Sequence, residues 1–132
     1  MSLLIDEYRR SWAIRFLREA RSDLSTADKT PIPTMSVSFA IMAMRKAQTS
    51  VYYSLGDPSY LTPMVNEILE GKRSVEIPTM KLLADMELMI RSSINSGERL
   101  GKDMAIRNAG RLIELASKMV FLVIRSKVAE FA

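Results

Sequence analysis

Three polar residues share one face of a predicted helix in the first half of the sequence. Arg45, Gln48 and Tyr52 are spaced at i, i+3 and i+7, so an α-helix aligns them in one strip. A guanidinium group, an amide and a phenol supply the hydrogen-bond donors that a nucleotide site uses. They are therefore candidate nucleotide-binding residues. The alternative interpretation is an ordinary solvent-exposed helix face.

A second candidate is a basic stripe in the last predicted helix. Arg107, Arg111, Lys118 and Arg125 fall within a narrow arc at 3.6 residues per turn, interrupted only by Glu114. Basic helix faces bind nucleic acids through their phosphates, so Arg107, Arg111 and Lys118 are candidate RNA-binding or nucleotide-binding residues. The alternative is a solvated helix edge on which Glu114 pairs with its basic neighbours.

The residue types on which most enzymes depend are absent. The 132 residues include no His and no Cys, which excludes Ser-His-Asp chemistry, cysteine nucleophiles and metal sites built from imidazole or thiolate ligands. Helical bundles that hold two irons need Glu together with a Glu-x-x-His element. Asp85 and Glu87 are only two positions apart and so lie on different helix faces. We predict no catalytic residue, no metal site, no cofactor and no enzymatic activity.

The composition is typical of a folded chain. Hydrophobic residues make up 48% and charged residues 26%, with a formal net charge of +4, which excludes a disordered protein. The longest charge-free run, residues 30–44, contains two prolines and is too short to span a bilayer. The first residues turn acidic at Asp6, unlike a signal peptide. We expect a single cytoplasmic domain over residues 1–132, without membrane contact.

Helices must position the candidate residues. Apolar residues recur at steps of three and four in four long segments, residues 3–28, 35–55, 78–95 and 102–131. A short helix is expected between the second and third of these, with Thr62 as its N-cap and Pro63 at its first position. Thr34 or Ser36 is expected to cap the second helix. The pattern predicts an all-α, antiparallel bundle of four long helices and one short helix.

The last predicted helix has the widest apolar surface. One apolar series includes Ala109 and Ala116, and a second includes Leu112, Leu115 and Leu122. A helix that is apolar around most of its circumference is buried on most sides. We therefore expect this helix to be the central element of the bundle or half of an oligomer interface.

Three segments carry a resemblance to a known family. Residues 16–27 contain Ala20, Asp23, Leu24 and Ala27 in an Ala-x-x-Asp-Leu-x-x-Ala pattern, and residues 38–48 form a small-residue helix with an Arg-x-Ala element. Both resemble the opening helices of HEPN (higher eukaryotes and prokaryotes nucleotide-binding) domains. Residues 108–120 are similar to the closing helix of that family. The resemblance covers about half of the chain.

The resemblance implies a function but not the family's usual reaction. Many HEPN domains cleave RNA with an Arg followed four to six residues later by His, and the windows after Arg91 and Arg107 contain no His. The resemblance therefore implies a non-catalytic bundle, commonly a homodimer. It would either bind RNA or a nucleotide, or act as the partner of a nucleotidyltransferase. One alternative is a protein-interaction or scaffold bundle with no nucleic-acid role. Another is an enzyme that uses Arg, Lys and a bound cofactor, such as a nucleotide-dependent transferase.

Overall fold

The described part of the chain folds into five α-helices and one short 3-10 turn. The computed structural model describes the backbone of residues 3–75 and 77–131 and the side chains of residues 7–75, 77–96 and 99–125. Every regular element in these ranges is helical, which confirms the all-α class. None of the described helices has the continuous apolar length that a membrane crossing requires. In chain order the elements are α1 (Leu3–Lys29), α2 (Pro33–Leu55), α3 (Pro58–Leu69), α4 (Pro78–Ser96), the 3-10 turn (Gly97–Leu100) and α5 (Lys102–Phe131).

A proline begins α2 two residues earlier than the sequence pattern predicts. Ile32 is the extended N-cap residue, and Pro33 follows in the first turn, where its missing N–H costs no helical hydrogen bond. Neither Thr34 nor Ser36 is therefore the cap, and that prediction is wrong. Ser36 lies inside the helix, where its hydroxyl donates a 2.5 Å hydrogen bond to the Ala27 carbonyl of α1.

The predicted start of the short helix is also wrong. Asp57 is the N-cap of α3, and its side chain accepts a 2.9 Å hydrogen bond from the backbone N–H of Ser59. Asp57 followed by Pro58 is a stronger start signal than Thr62 followed by Pro63, because a carboxylate also interacts favourably with the helix N-terminus. Pro63 consequently lies inside α3.

The second helix is the centre of the structure. It packs most extensively on α1, then on α5, and also contacts α4 and α3. Small side chains at these interfaces let the helix axes approach closely. Ala13, Ala20 and Ala27 of α1 and Ala109 and Ala116 of α5 are all fully buried. The matching buried alanines of α2 are Ala40, Ala43 and Ala47.

The prediction that α5 is the central element is therefore wrong. Its inner face is buried through Leu112 and Ala116, but Leu115 and Leu122 of the second apolar series are 39% and 59% exposed. The reason is that α5 packs mainly against α2 and α1, so the width of its apolar surface exceeds the width of the contact. Apolar side chains are left on its outer side.

Candidate functional site

The fourth helix places a carboxylate in the middle of its buried face. Leu83, Glu87 and Ile90 follow one another at steps of four and three, and Glu87 is only 7% exposed. An ionised carboxylate in such a position costs several kcal/mol unless donors surround it. The neighbouring helices supply those donors.

Three side chains donate hydrogen bonds to Glu87. Gln48 Nε2 and Arg45 Nη1, both from α2, donate to Glu87 Oε1 at 2.7 and 2.6 Å. Arg91 Nε, one turn further along α4, donates to Oε2 at 2.7 Å. Arg91 Nη2 also donates to Asn66 Oδ1 of α3 at 2.8 Å. The Glu87 carboxylate thus links α4 to α2, and Arg91 links α4 to α3 through Asn66.

The two arginines are held at one end and open to solvent at the other. Arg45 Nη1 also donates to Gln48 Oε1 at 2.8 Å, so Gln48 is satisfied on both its amide atoms although it is buried. The Arg45 and Arg91 side chains remain 43% and 44% exposed. Fixed but accessible guanidinium groups are the form in which proteins present Arg to phosphates. We call the group Glu87, Arg45, Gln48, Arg91 and Asn66, together with Tyr52, the Glu87 cluster.

The cluster has no proton-transfer group suited to neutral pH. Burial, by itself the largest influence, raises the pKa of Glu87, but the hydrogen bonds from Gln48, Arg45 and Arg91 outweigh it and the pKa is lowered. Burial, followed by the charge of Glu87, raises the pKa of Tyr52 to about 12. At neutral pH the carboxylate is therefore ionised and occupied, and the phenol keeps its proton.

The predicted residues fall into two separate places. Arg45, Gln48 and Tyr52 come together in the Glu87 cluster, at the interface of α2 with α4; Gln48 and Tyr52 are buried, so the strip is not a solvent-exposed helix face. The other predicted residues, Arg107, Arg111 and Lys118, are exposed on α5. Among the described side chains, no hydrogen bond or ion pair joins this stripe to the Glu87 cluster.

A shallow, open surface depression adjoins the Glu87 cluster. It follows the C-terminal half of α4 and continues into the 3-10 turn, and Arg91 belongs to both the cluster and the depression. Within the part of the chain whose side chains are described, Arg99 has no acidic partner. We call this depression the arginine groove; it is lined by Leu88, Arg91, Ser92, Asn95, Ser96 and Arg99.

Sequence analysis missed Glu87 and Asn66, the α3 residue that accepts a hydrogen bond from Arg91. Glu87 was considered only as a metal ligand beside Asp85, whereas its register with Leu83 and Ile90 already indicates a buried carboxylate. No sequence pattern identifies Asn66 as part of the cluster, because the position of α3 against α4 depends on the tertiary fold. In the described side chains no group of three or more His, Cys, Asp or Glu is placed to hold a metal ion.

Aromatic side chains form a separate surface cluster. Phe16 and Tyr53 stack with ring centroids 5.7 Å apart, and Trp12 lies beside both. Arg15 lies over the Trp12 ring at 5.0 Å from its centroid. The faces of these rings pack on one another and on the Arg15 cation. They therefore form a packed edge between α1 and α2 and are not free to stack on a nucleotide base.

The segment that resembles HEPN domains has a structural explanation in this fold. Ala20 and Ala27 are buried against the neighbouring helices, and the Asp23 carboxylate pairs with Lys46 Nζ of α2 at 2.8 Å. The pattern therefore corresponds to the packing of α1 on α2. No family model, no curated protein and no solved structure matches the chain. The relationship to HEPN domains stays a prediction from the sequence.

Proposed function

We propose that the protein is a non-catalytic, HEPN-like bundle that binds the phosphate groups of RNA or of a nucleotide in the arginine groove. Its four longer helices and the short α3 would form the antiparallel bundle of that family, in the cytoplasm. The observation that carries the proposal is the fixed geometry of Arg91. Its Nε is held by Glu87 and its Nη2 by Asn66, at the edge of a groove that also contains Arg99.

The electrostatics of the groove favour an anion. Two guanidinium groups line it, and the carboxylate that holds Arg91 is turned into the protein, with both oxygens already accepting hydrogen bonds. Arg45 adds a third cation on the other side of Glu87. Because Arg91 is already ordered, it loses little side-chain entropy when a phosphate binds.

The lining of the groove favours phosphate contacts over base recognition. Ser92, Asn95 and Ser96 supply small hydroxyl and amide groups, and none of the six lining side chains is aromatic. Without a ring on which to stack, a base contributes little binding free energy. We therefore expect single-stranded RNA to bind with little sequence preference, and a polyphosphate-bearing nucleotide to bind regardless of its base.

Salt-dependent RNA binding tests this proposal. Fluorescence anisotropy with labelled oligouridylate should show weak binding that falls steeply with salt, because each neutralised phosphate releases counterions. Replacing both Arg91 and Arg99 with Ala should lower the affinity and reduce the salt slope by about one unit per lost contact. Lys81→Ala is the matched control, since Lys81 is an exposed cation on α4 outside the groove.

Each outcome of the titration supports or contradicts a stated part of the proposal. Equal affinity of the wild type and the double variant would contradict RNA binding in the arginine groove. Loss of binding in the Arg107→Ala, Arg111→Ala variant instead would place the RNA-binding site on α5. Absence of RNA and nucleotide binding at low salt would leave the interaction or scaffold bundle as the function. RNA cleavage by pure protein would contradict the non-catalytic assignment.

The resemblance carries two further parts of the same proposal, a homodimer and a nucleotidyltransferase partner. The six residues that define the groove belong to one chain, so the RNA titration tests the groove without either partner.

A further inference from the structure

The outer side of α5 combines exposed apolar and basic side chains in a regular register. Met104, Leu115 and Leu122 are exposed, and so are Arg111, Lys118 and Arg125. With the half-buried Asn108, these positions advance by alternating steps of four and three, which is the seam spacing of paired helices. Exposed leucines at that spacing are typical of a helix that packs against another helix. We call this side the α5 outer face.

The charge of the α5 outer face is one-sided. Arg107, Arg111, Lys118 and Arg125 lie on it or at its edge, against two carboxylates at that edge, Glu114 and Asp103 of the first turn. Glu114 neutralises little, because its distance to Lys118 Nζ is 3.8 Å and both side chains are more than 70% exposed. Any partner that covers the leucines must therefore approach a row of cations.

We propose that the α5 outer face docks an acidic amphipathic helix of another protein. Such a helix supplies apolar side chains opposite Leu115 and Leu122 and carboxylates opposite Arg111 and Lys118. The exposed face from Met104 to Arg125 is about 32 Å long at 1.5 Å per residue, so it accommodates about six helical turns. Pairing of two helices through anchors at such spacing, as in coiled-coil zippers, is an established mode of recognition.

The charge pattern argues against two other occupants. A second copy of the chain would bring two sets of these cations face to face, and like charges across a helix pair disfavour it. RNA would neutralise Arg111 and Lys118 but would leave Leu115 and Leu122 uncovered, since the phosphate backbone offers no apolar surface. An acidic amphipathic helix satisfies both the leucines and the cations.

A designed peptide tests this docking. The probe is a labelled synthetic helix with Leu at the seam positions and Glu beside them, compared with a peptide in which every Glu is Lys. Anisotropy should show binding of the acidic peptide only, and Leu115→Ser with Leu122→Ser should weaken that binding at least tenfold. Ile94→Ser is the matched control, because Ile94 is a 48% exposed aliphatic residue on α4 that does not line the arginine groove. Lys118→Glu should weaken binding of the acidic peptide, and Lys81→Glu should not.

Several outcomes would overturn the docking proposal. One is equal binding of the two peptides; another is equal binding of the acidic peptide by the wild type and the leucine double variant when circular dichroism shows both folded. A dimer in analytical ultracentrifugation that Leu122→Asp dissociates would assign the face to a second copy. RNA affinity lost in Lys118→Glu but kept in the Arg91→Ala, Arg99→Ala variant would assign it to RNA. The substitutions at Leu115, Lys118 and Leu122 lie outside the arginine groove, so this proposal and the proposed function can fail separately.

Discussion

The Glu87 cluster and the α5 outer face use the same residue types in opposite ways. In the cluster, Arg45 and Arg91 are bound by one buried carboxylate at 2.6 and 2.7 Å. On the α5 outer face, Lys118 lies 3.8 Å from an equally exposed Glu114. Burial of the carboxylate, rather than the number of cations, decides whether the cations have a defined position.

The consequences for binding differ accordingly. Arg91 is already ordered, so the arginine groove is suited to a small anion that contacts few groups. The cations of α5 keep their rotamer freedom, and Leu115 and Leu122 keep their hydration. Such a face binds well only when a large partner covers many of its side chains together. Mutations that separate burial from charge test this comparison.

The largest expected difference lies between the two sides of α5. Ala116 is fully buried against the neighbouring helices, so Ala116→Asp places an unpaired charge in a closely packed interface. We expect the free energy of unfolding to fall by about 3 kcal/mol or more. Leu122→Asp on the outer side should change it by only about 0.5 kcal/mol. Urea denaturation of both variants measures the difference, and equal losses would show that the outer side is also packed.

Removing the carboxylate of the cluster should have the next largest effect. Glu87→Ala leaves the buried Gln48 amide without an acceptor and frees two arginines, so we expect a loss of about 2–3 kcal/mol. Asp85→Ala is the matched control, because Asp85 is an exposed carboxylate on the same helix, and it should change stability by about 0.5 kcal/mol or less. Similar denaturation midpoints for both variants would contradict the structural role of Glu87.

The helices were predictable from the sequence because local signals specify them. Apolar spacing and prolines placed α1, α2, α4 and α5 within a few residues of their observed bounds. The orientation of individual faces was less well specified. On α1 the apolar spacing predicts a core series through Tyr8, Trp12, Phe16 or Leu17, and Ala20. Leu17 and Ala20 are buried, and so is Ala13, whereas Tyr8 is exposed and Trp12 and Phe16 are only partly buried. The large aromatic residues lie at the edge because the alanines allow the helices to approach more closely than large side chains would.

The candidate site was predictable only in part. The strip of Arg45, Gln48 and Tyr52 follows from helical spacing within α2. The partner of that strip lies 39 residues beyond Gln48 in the sequence, and only the packing of α4 on α2 brings Glu87 to it. A periodic pattern reports which residues share a face of one helix. It does not report which helix that face contacts, and the same limit explains the incorrect central placement of α5.

The pH dependence of stability should sharpen the role of Glu87. Because its pKa is lowered in the folded protein, the unfolded chain binds more protons as the pH falls below the ordinary glutamate value. The stabilisation is therefore present above about pH 4.5 and is lost as the pH decreases through the folded pKa. The difference in unfolding free energy between wild type and Glu87→Gln should shrink over that range, while contributions of other carboxylates cancel. A difference that stays constant with pH would contradict this linkage.

The smallest expected change in stability belongs to Lys118. Its pair with Glu114 is long and exposed on both sides, so Lys118→Ala should alter the unfolding free energy by less than about 0.5 kcal/mol. The same substitution should still weaken binding of the acidic peptide, since a docked carboxylate would lose its cation. Denaturation and anisotropy on one protein preparation separate the two quantities. Glu87→Ala should show the opposite result. Its stability should fall by a large amount, and its affinity for the peptide should be unchanged at temperatures where the variant is folded. A Lys118→Ala variant that lost stability and kept its peptide affinity would mean that the α5 cations act within the fold rather than on a partner.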